Sequence, residues 1–133
     1  MITLEQAITA SGSHPERLHH KELTQEVKDN LTKLLEKVNA LLTELSITNV
    51  IVSSGFRPSD VNAATAGSAK HSLHMSGNAV DIATHTVYDK VAGHPELLKK
   101  YGLWMESSKQ ATSWTHLDDS TTRTDRPIRI FSA

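Results

Sequence analysis

The 133-residue sequence contains no cysteine, which excludes disulfide bonds, thiolate metal sites and cysteine nucleophiles. Any metal ion that the protein binds must therefore be held by histidine, aspartate or glutamate. No apolar run approaches the roughly 20 residues that a membrane-spanning helix needs. Aromatic residues make up only 5% of the chain, and a net charge of −1 provides no basic field. Neither nucleic acid nor a membrane is therefore expected as a partner.

Histidine, by contrast, is abundant, with eight residues in this short chain. The length and the 38% apolar content fit a single domain over residues 1–133, with one modest core. The N-terminus has neither the basic start nor the apolar stretch of a secretory signal. We therefore expect synthesis in the cytoplasm without a signal peptide, and a monomeric protein.

The clearest secondary-structure signal predicts a helix over residues 24–45. Apolar residues recur there at intervals of three and four, with charged residues on the other face. Packing in the core explains this stripe better than a coiled coil, because no supporting heptads occur elsewhere. Short helices are predicted at residues 3–10, 58–67 and 94–102. Short strands are predicted at residues 49–54, 78–83, 103–106, 113–117 and 128–131. The pattern indicates an α+β domain with a helical lead-in (1–48) and a small, mainly antiparallel sheet (49–131).

The stretch SLHMSGNAVDIA, residues 72–83, places His74 seven residues before Asp81. Alternation along the predicted strand puts Asp81 on the face opposite to Val80 and Ile82. A carboxylate deep in a sheet must be paired, hydrogen-bonded or bound to a metal ion. Gly77 allows the chain to turn, so that His74 folds back over Asp81. The alternative is a turn histidine and a strand aspartate that is bonded to backbone groups.

A third metal ligand is available in SWTHLDD, where His116 lies in another predicted strand. Two histidines, one carboxylate and a water molecule form an open catalytic zinc site. His71, three residues before His74, is an alternative ligand or a supporting residue. The remaining histidines lie in polar, turn-like contexts and are expected at the surface: His14, His19, His20, His85 and His94.

The motifs SGFRP, VNAA, SLHMSGNAVDI and WTH, in that order, resemble the zinc D-alanyl-D-alanine carboxypeptidase family. This family includes VanY-type carboxypeptidases and phage L-alanyl-D-glutamate endolysins. Its Ser-x-His-x-x-Gly-x-Ala-x-Asp signature is matched at every fixed position, by Ser72, His74, Gly77, Ala79 and Asp81. The resemblance covers roughly residues 50–131 and implies a fold similar to that of hedgehog signalling domains.

The resemblance implies one zinc ion per chain, bound by His74, Asp81 and His116. It also implies that Arg57 binds a carboxylate or carbonyl oxygen of the substrate, for which the paired donors of a guanidinium are suited. A surface salt bridge is the alternative for Arg57. Ser72 is expected to hydrogen-bond to the substrate or to a ligand. The implied reaction is hydrolysis of an amide bond in peptidoglycan stem peptides, as a D-Ala-D-Ala carboxypeptidase or an L-Ala-D-Glu endopeptidase.

The sequence departs from the family at the general base. Many members have a glutamate three residues before the last histidine, where this chain has Ser113. Glu106 is the preferred substitute, because pairing of its strand with that of His116 would bring it near the site. Asp118, which shares a strand face with His116, and Asp119 are the alternatives.

The missing glutamate leaves a second function open, that of a non-catalytic zinc-containing module that binds cell wall or serves in a phage structure. For the peptidase, the absence of a signal peptide and of a separate wall-binding domain favours a phage endolysin. Such a protein acts on the cell wall after phage-assisted release.

Overall fold

The computed structural model of the chain describes residues 1–65, 72–107 and 113–132. Its N-terminal part is helical, with helix α1 over Leu4–Thr9, a 3-10 helix over Pro15–His19 and helix α2 over Gln25–Glu44. Helix α2 confirms the predicted long helix to within one residue at each end. The hydroxyl of Thr24 accepts a hydrogen bond from the amide of Val27 and so begins this helix.

The remaining elements are short strands and short helices. In chain order they are β1 (Val52–Ser54), α3 (Ser59–Ala64), β2 (Ala79–Ile82), α4 (Thr86–Gly93), α5 (Glu96–Tyr101), β3 (Trp104–Glu106), β4 (Thr115–Asp118) and β5 (Ile130–Phe131). Every predicted strand overlaps an observed one. Helix α4 is an addition to the prediction, and the predicted end of α3 at Gly67 lies outside the described residues.

The five strands form one sheet in the order β1-β2-β4-β3-β5. Three of the four pairings are antiparallel, and β3 pairs with β5 in parallel. The predicted α+β fold is confirmed, and the sheet is mixed through its edge strand β5. Strands β3 and β4 are neighbours, as the prediction for Glu106 requires.

One face of the sheet packs on the helices and forms the hydrophobic core. The core side chains of the sheet include Val80, Ile82, Met105 and Leu117, all fully buried. They join the apolar stripe of α2 in a single cluster, to which the stripe contributes Leu31, Leu34, Leu35, Val38, Leu41 and Leu42. Because side chains alternate along a strand, the opposite face receives Asp81 of β2 and His116 and Asp118 of β4.

The turn before β2 is pressed against helix α2. Gly77 has a φ of +80°, and a Cβ atom there would lie 2.5 Å from the carbonyl oxygen of Val27. The side-chain amide of Asn30 donates a hydrogen bond to the carbonyl oxygen of Ser76 over 3.0 Å. Glycine is therefore required at position 77 both by the backbone conformation and by the space available.

We expect Gly77→Ala to destabilise the protein by about 2–4 kcal/mol, since left-handed strain and a steric clash act together. Gly12→Ala is the matched control. Gly12 also has a positive φ, +91°, but among the described residues an added Cβ would meet no atom within 4 Å. The control should lose only about 1–2 kcal/mol. Urea denaturation measures both values, and equal losses would contradict the importance of close packing at Gly77.

Candidate metal centre

Three potential metal ligands converge on the polar face of the sheet. His74 lies near the start of the turn that packs on α2, Asp81 lies on β2, and His116 lies opposite Asp81 on β4. One ligand atom from each residue lies within 4.8 Å of the other two. His74 Nε2 is 3.3 Å from Asp81 Oδ2, and His116 Nδ1 is 2.8 Å from Asp81 Oδ1. The carboxylate of Asp81 therefore lies between the two imidazole rings.

Each imidazole is held on its outer side by a hydrogen-bond acceptor. His74 Nδ1 donates to the carbonyl oxygen of Gly55 over 2.9 Å, and His116 Nε2 donates to Asp118 Oδ2 over 2.9 Å. The inner nitrogens, His74 Nε2 and His116 Nδ1, face Asp81. Histidines that ligate metals almost always donate their other ring N–H to a carbonyl or carboxylate in this manner.

The two acidic neighbours of His116 control its protonation. Burial lowers the pKa of His116, but hydrogen bonds and charges from Asp118 and Asp81 outweigh burial and raise the pKa to about 9. Burial raises the pKa of Asp81, yet His116 and His74 hold it well below its usual range. In the absence of a metal ion, a proton on His116 Nδ1 thus bonds to Asp81. A metal ion and this proton compete for the same nitrogen.

The donor set fits zinc. Two imidazole nitrogens and one carboxylate oxygen, with a fourth position left for water, are the ligands of an open catalytic zinc site. Bonds of about 2.0–2.1 Å in tetrahedral geometry separate ligand atoms by about 3.3 Å. The two closest separations, 2.8 and 3.3 Å, are comparable. His71, the alternative ligand, lies outside the described residues.

Arg57 lies at the edge of this cluster. Its Nη2 atom is 3.9 Å from Asp81 Oδ2 and donates a hydrogen bond to the hydroxyl of Ser54 over 3.3 Å. Nη1 donates to the side-chain oxygen of Asn62 over 3.1 Å. Burial lowers the pKa of Arg57 and the charge of Asp81 acts in the opposite direction, but a guanidinium keeps its charge in a protein. A cation is therefore fixed beside the potential ligands.

Ser72 contributes to the turn that carries His74. Its hydroxyl accepts a hydrogen bond from the backbone amide of His74 over 3.2 Å, and its carbonyl accepts one from Met75 over 3.0 Å. The side chain thus supports the backbone of a potential ligand.

Glu106 lies on the strand next to His116. The antiparallel register pairs Met105 with Leu117, so the next step along both strands sets Glu106 across from His116. The alternation of side chains places both on the same face of the sheet. Glu106 is half-buried. Within the described part of the chain, its carboxylate has no hydrogen-bond or ion-pair partner.

Asp118 is fully buried, and its carboxylate is saturated with donors. Oδ2 accepts from His116 Nε2 and from Arg123 Nη2, the latter over 3.1 Å. Oδ1 lies 2.5 Å from Arg123 Nη1 and accepts from the amide of Ser120 over 3.2 Å. Asp118 therefore lies behind His116, at the nitrogen that points away from Asp81.

Asp119 lies on the helix side of the sheet. Its Oδ2 atom is 3.3 Å from the ammonium group of Lys37 on α2, and its Oδ1 atom accepts a hydrogen bond from the Asn78 side chain over 3.1 Å. These contacts turn its carboxylate away from the face that carries His116.

Two residues that help to position His116, Arg123 and Phe131, were not predicted from the sequence. Arg123 binds Asp118, and its guanidinium carbon lies 3.7 Å from the ring centroid of Phe131. The Phe131 ring in turn meets the His116 ring edge to face, with centroids 5.9 Å apart. The path of the chain between β4 and β5 brings these residues together. No periodic pattern or motif in the sequence indicates that contact.

A family model described as Peptidase M15 matches residues 8–118, most of the chain. The chain belongs to this family. The resemblance to the zinc D-Ala-D-Ala carboxypeptidase and VanY-type proteins is thereby confirmed, and at the level of the family the protein is a zinc-dependent peptidase. No curated protein and no solved structure matches the chain. None of the helices in the described ranges combines the length and apolar character that a membrane crossing requires.

We expect His116→Ala to abolish tight zinc binding and to lower stability, because it removes one potential ligand and leaves Asp81 and Asp118 without their shared partner. His94→Ala is the matched control, since His94 is exposed and pairs with Glu96 at the surface. The control should bind one zinc ion per chain, measured by titration of chelator-treated protein and by elemental analysis. Retention of one tightly bound zinc ion by the His116 variant would contradict the assignment.

Proposed function

We propose that the protein is a zinc-dependent peptidase that hydrolyses amide bonds in peptidoglycan stem peptides. The observation that carries the proposal is the convergence of His74, Asp81 and His116, each histidine with its own outer acceptor. Membership of the peptidase M15 family supports the reaction class. The proposed bond is either the terminal D-Ala-D-Ala bond or the internal L-Ala-D-Glu bond.

We propose that one zinc ion is held by His74 through Nε2, by an oxygen of Asp81 and by His116 through Nδ1. When bound, zinc would activate a water molecule for attack and polarise the scissile carbonyl group. The residues around the ion have separate tasks. Gly55 and Asp118 orient the two imidazoles, and Asp81 supplies the negative charge that attracts the cation.

We propose that Arg57 binds the substrate beside the metal centre. Ser54 and Asn62 fix its guanidinium, so little ordering remains to occur when the substrate arrives. The carbonyl oxygen of an amide gains negative charge as it is attacked, and a fixed cation stabilises that charge. A terminal carboxylate of the substrate would bind to the same paired donors. Direct contact of Ser72 with the substrate remains a prediction, since its hydroxyl supports the turn.

We propose Glu106 as the general base, which takes the proton of the attacking water and passes it to the leaving amine. Its position across from His116 and its half-buried carboxylate support this role. The alternatives are less well placed. Asp118 is saturated by His116 and Arg123, and Asp119 is turned towards helix α2.

A second candidate is a zinc-containing module that binds cell wall or serves in a phage structure without cutting peptide. The replacement of the usual glutamate by Ser113 favours it, since Ser113 cannot accept a proton at neutral pH. For the peptidase and for the module alike, we propose that the protein acts on the cell wall after phage-assisted release.

The first experiment measures the zinc content of the protein together with the release of amines from purified peptidoglycan, before and after treatment with a chelator. We expect bound zinc, cleavage that stops after chelation and recovery when zinc is restored. Mass spectrometry of the fragments then identifies the bond. Bound zinc without cleavage of any wall peptide would favour the binding module.

We expect Glu106→Gln to retain zinc but to lower the rate of hydrolysis by about 100- to 10,000-fold, because loss of a general base typically has this effect. Asp119→Asn is the matched control and should hydrolyse at close to the normal rate, since Asp119 faces Lys37. Zinc content is measured for both variants. A near-normal rate for the Glu106 variant would move the base role to Asp118, or to Asp119 if the Asp119→Asn variant is the slow one.

A further inference from the structure

We propose that Arg123 is a positioning residue that fixes the orientation of His116 for metal binding. It acts through two neighbours of that imidazole, Asp118 and Phe131. The inference rests on the proposed zinc site but concerns the segment after β4. This segment lies beyond the residues that the family model matches, which end at residue 118.

The polar contact runs through Asp118. The two outer nitrogens of the Arg123 guanidinium meet the two carboxylate oxygens of Asp118, at 2.5 and 3.1 Å. Such a paired contact fixes the plane of the carboxylate as well as its position. Oδ2 of the same carboxylate accepts the N–H of His116 Nε2. By fixing the acceptor, Arg123 keeps the N–H of Nε2 on the outer side of His116 and leaves Nδ1 facing Asp81.

The second contact runs through Phe131. The guanidinium of Arg123 lies on the ring of Phe131, with 3.7 Å between its central carbon and the ring centroid. The edge-to-face contact of Phe131 with His116, at an interplanar angle of 81°, limits the tilt of the imidazole. Phe131 is itself fixed by the pairing of β5 with Glu106 on β3. Arg123 thus touches both neighbours that constrain His116 from outside the metal centre.

The other two arginines of this segment provide a contrast. Arg126 and Arg129 also lie near an aromatic ring, at 5.6 and 5.3 Å from the centroid of Trp104. Arg129 pairs with Asp125, and Arg126 is exposed, with no acidic partner in the described part of the chain. Arg123 is therefore the arginine whose removal should affect the metal centre, and Arg126 is the control.

The test is the zinc affinity of chelator-treated protein, measured by competition with a chromophoric chelator, together with the visible spectrum of the cobalt-substituted protein. We expect Arg123→Gln to weaken zinc binding by about 10-fold, the low end of the effect of losing a group that hydrogen-bonds a metal ligand, because Arg123 acts through Asp118. We expect the cobalt spectrum to change, because the imidazole is reoriented. Arg126→Gln should leave both properties unchanged. A purely structural role for Arg123 would lower the melting temperature and leave the cobalt spectrum of the folded protein intact.

Two further variants make the result decisive. If Arg123 acts through Asp118, adding Arg123→Gln to Asp118→Asn should weaken zinc binding little further, whereas fully additive losses would contradict that path. If Arg123→Gln does not fold, as judged by circular dichroism, Arg123→Lys replaces it, since lysine keeps the charge but cannot form the paired contact. The proposal would be overturned if the folded Arg123 variant had the same zinc affinity and the same cobalt spectrum as Arg126→Gln. Absence of zinc binding by the unaltered protein would instead overturn the metal centre itself, and this inference with it.

Discussion

The pairing of β2 with β4 is the constraint on which the rest of the site depends. Its register sets Asp81 opposite His116, while Val80 and Leu117, which pair with each other, face the core. Because side chains alternate, burial of the apolar set turns the polar set towards the opposite face. A slip of one residue would move Asp81 into the core and Val80 into the site. The hydrophobic effect therefore positions two potential ligands that are not themselves part of the apolar core.

The third potential ligand lies in a turn and needs support from the helical N-terminal part. Helix α2 supplies the surface against which Gly77 packs, and this fixes the turn that contains His74. Helix α1 acts on the other side. The backbone amide of Phe56 donates a hydrogen bond to the carbonyl oxygen of Ala7 over 3.0 Å. A Cβ atom on Gly55 would lie 2.0 Å from the same oxygen. The carbonyl group of Gly55, which accepts from His74, is thus aligned by α1. The helices hold the site as much as the sheet does.

The sequence predicts those structural features that a pattern of neighbouring residues encodes. Helix α2 shows its apolar period, and the signature around His74 and Asp81 is a short motif with fixed spacing. Helix α4 was missed because in its eight residues only Val87 and Val91 are buried, too few to set a period. Arg123 was missed for a different reason. Its contacts depend on the path of the chain between β4 and β5, and no local pattern encodes that path.

The proposed base lies on a different strand from the one that follows the usual glutamate position. Ser113, at the position of the usual glutamate, is exposed and precedes β4. Glu106 lies on β3, and the side of the sheet that it faces follows from the burial of Met105 and Leu117 in the core. The same alternation that turns His116 towards the site turns Glu106 to that face. The face that carries the potential ligands therefore also holds a half-buried carboxylate that lacks the usual sequence spacing, and this supports the proposal of Glu106 as the general base.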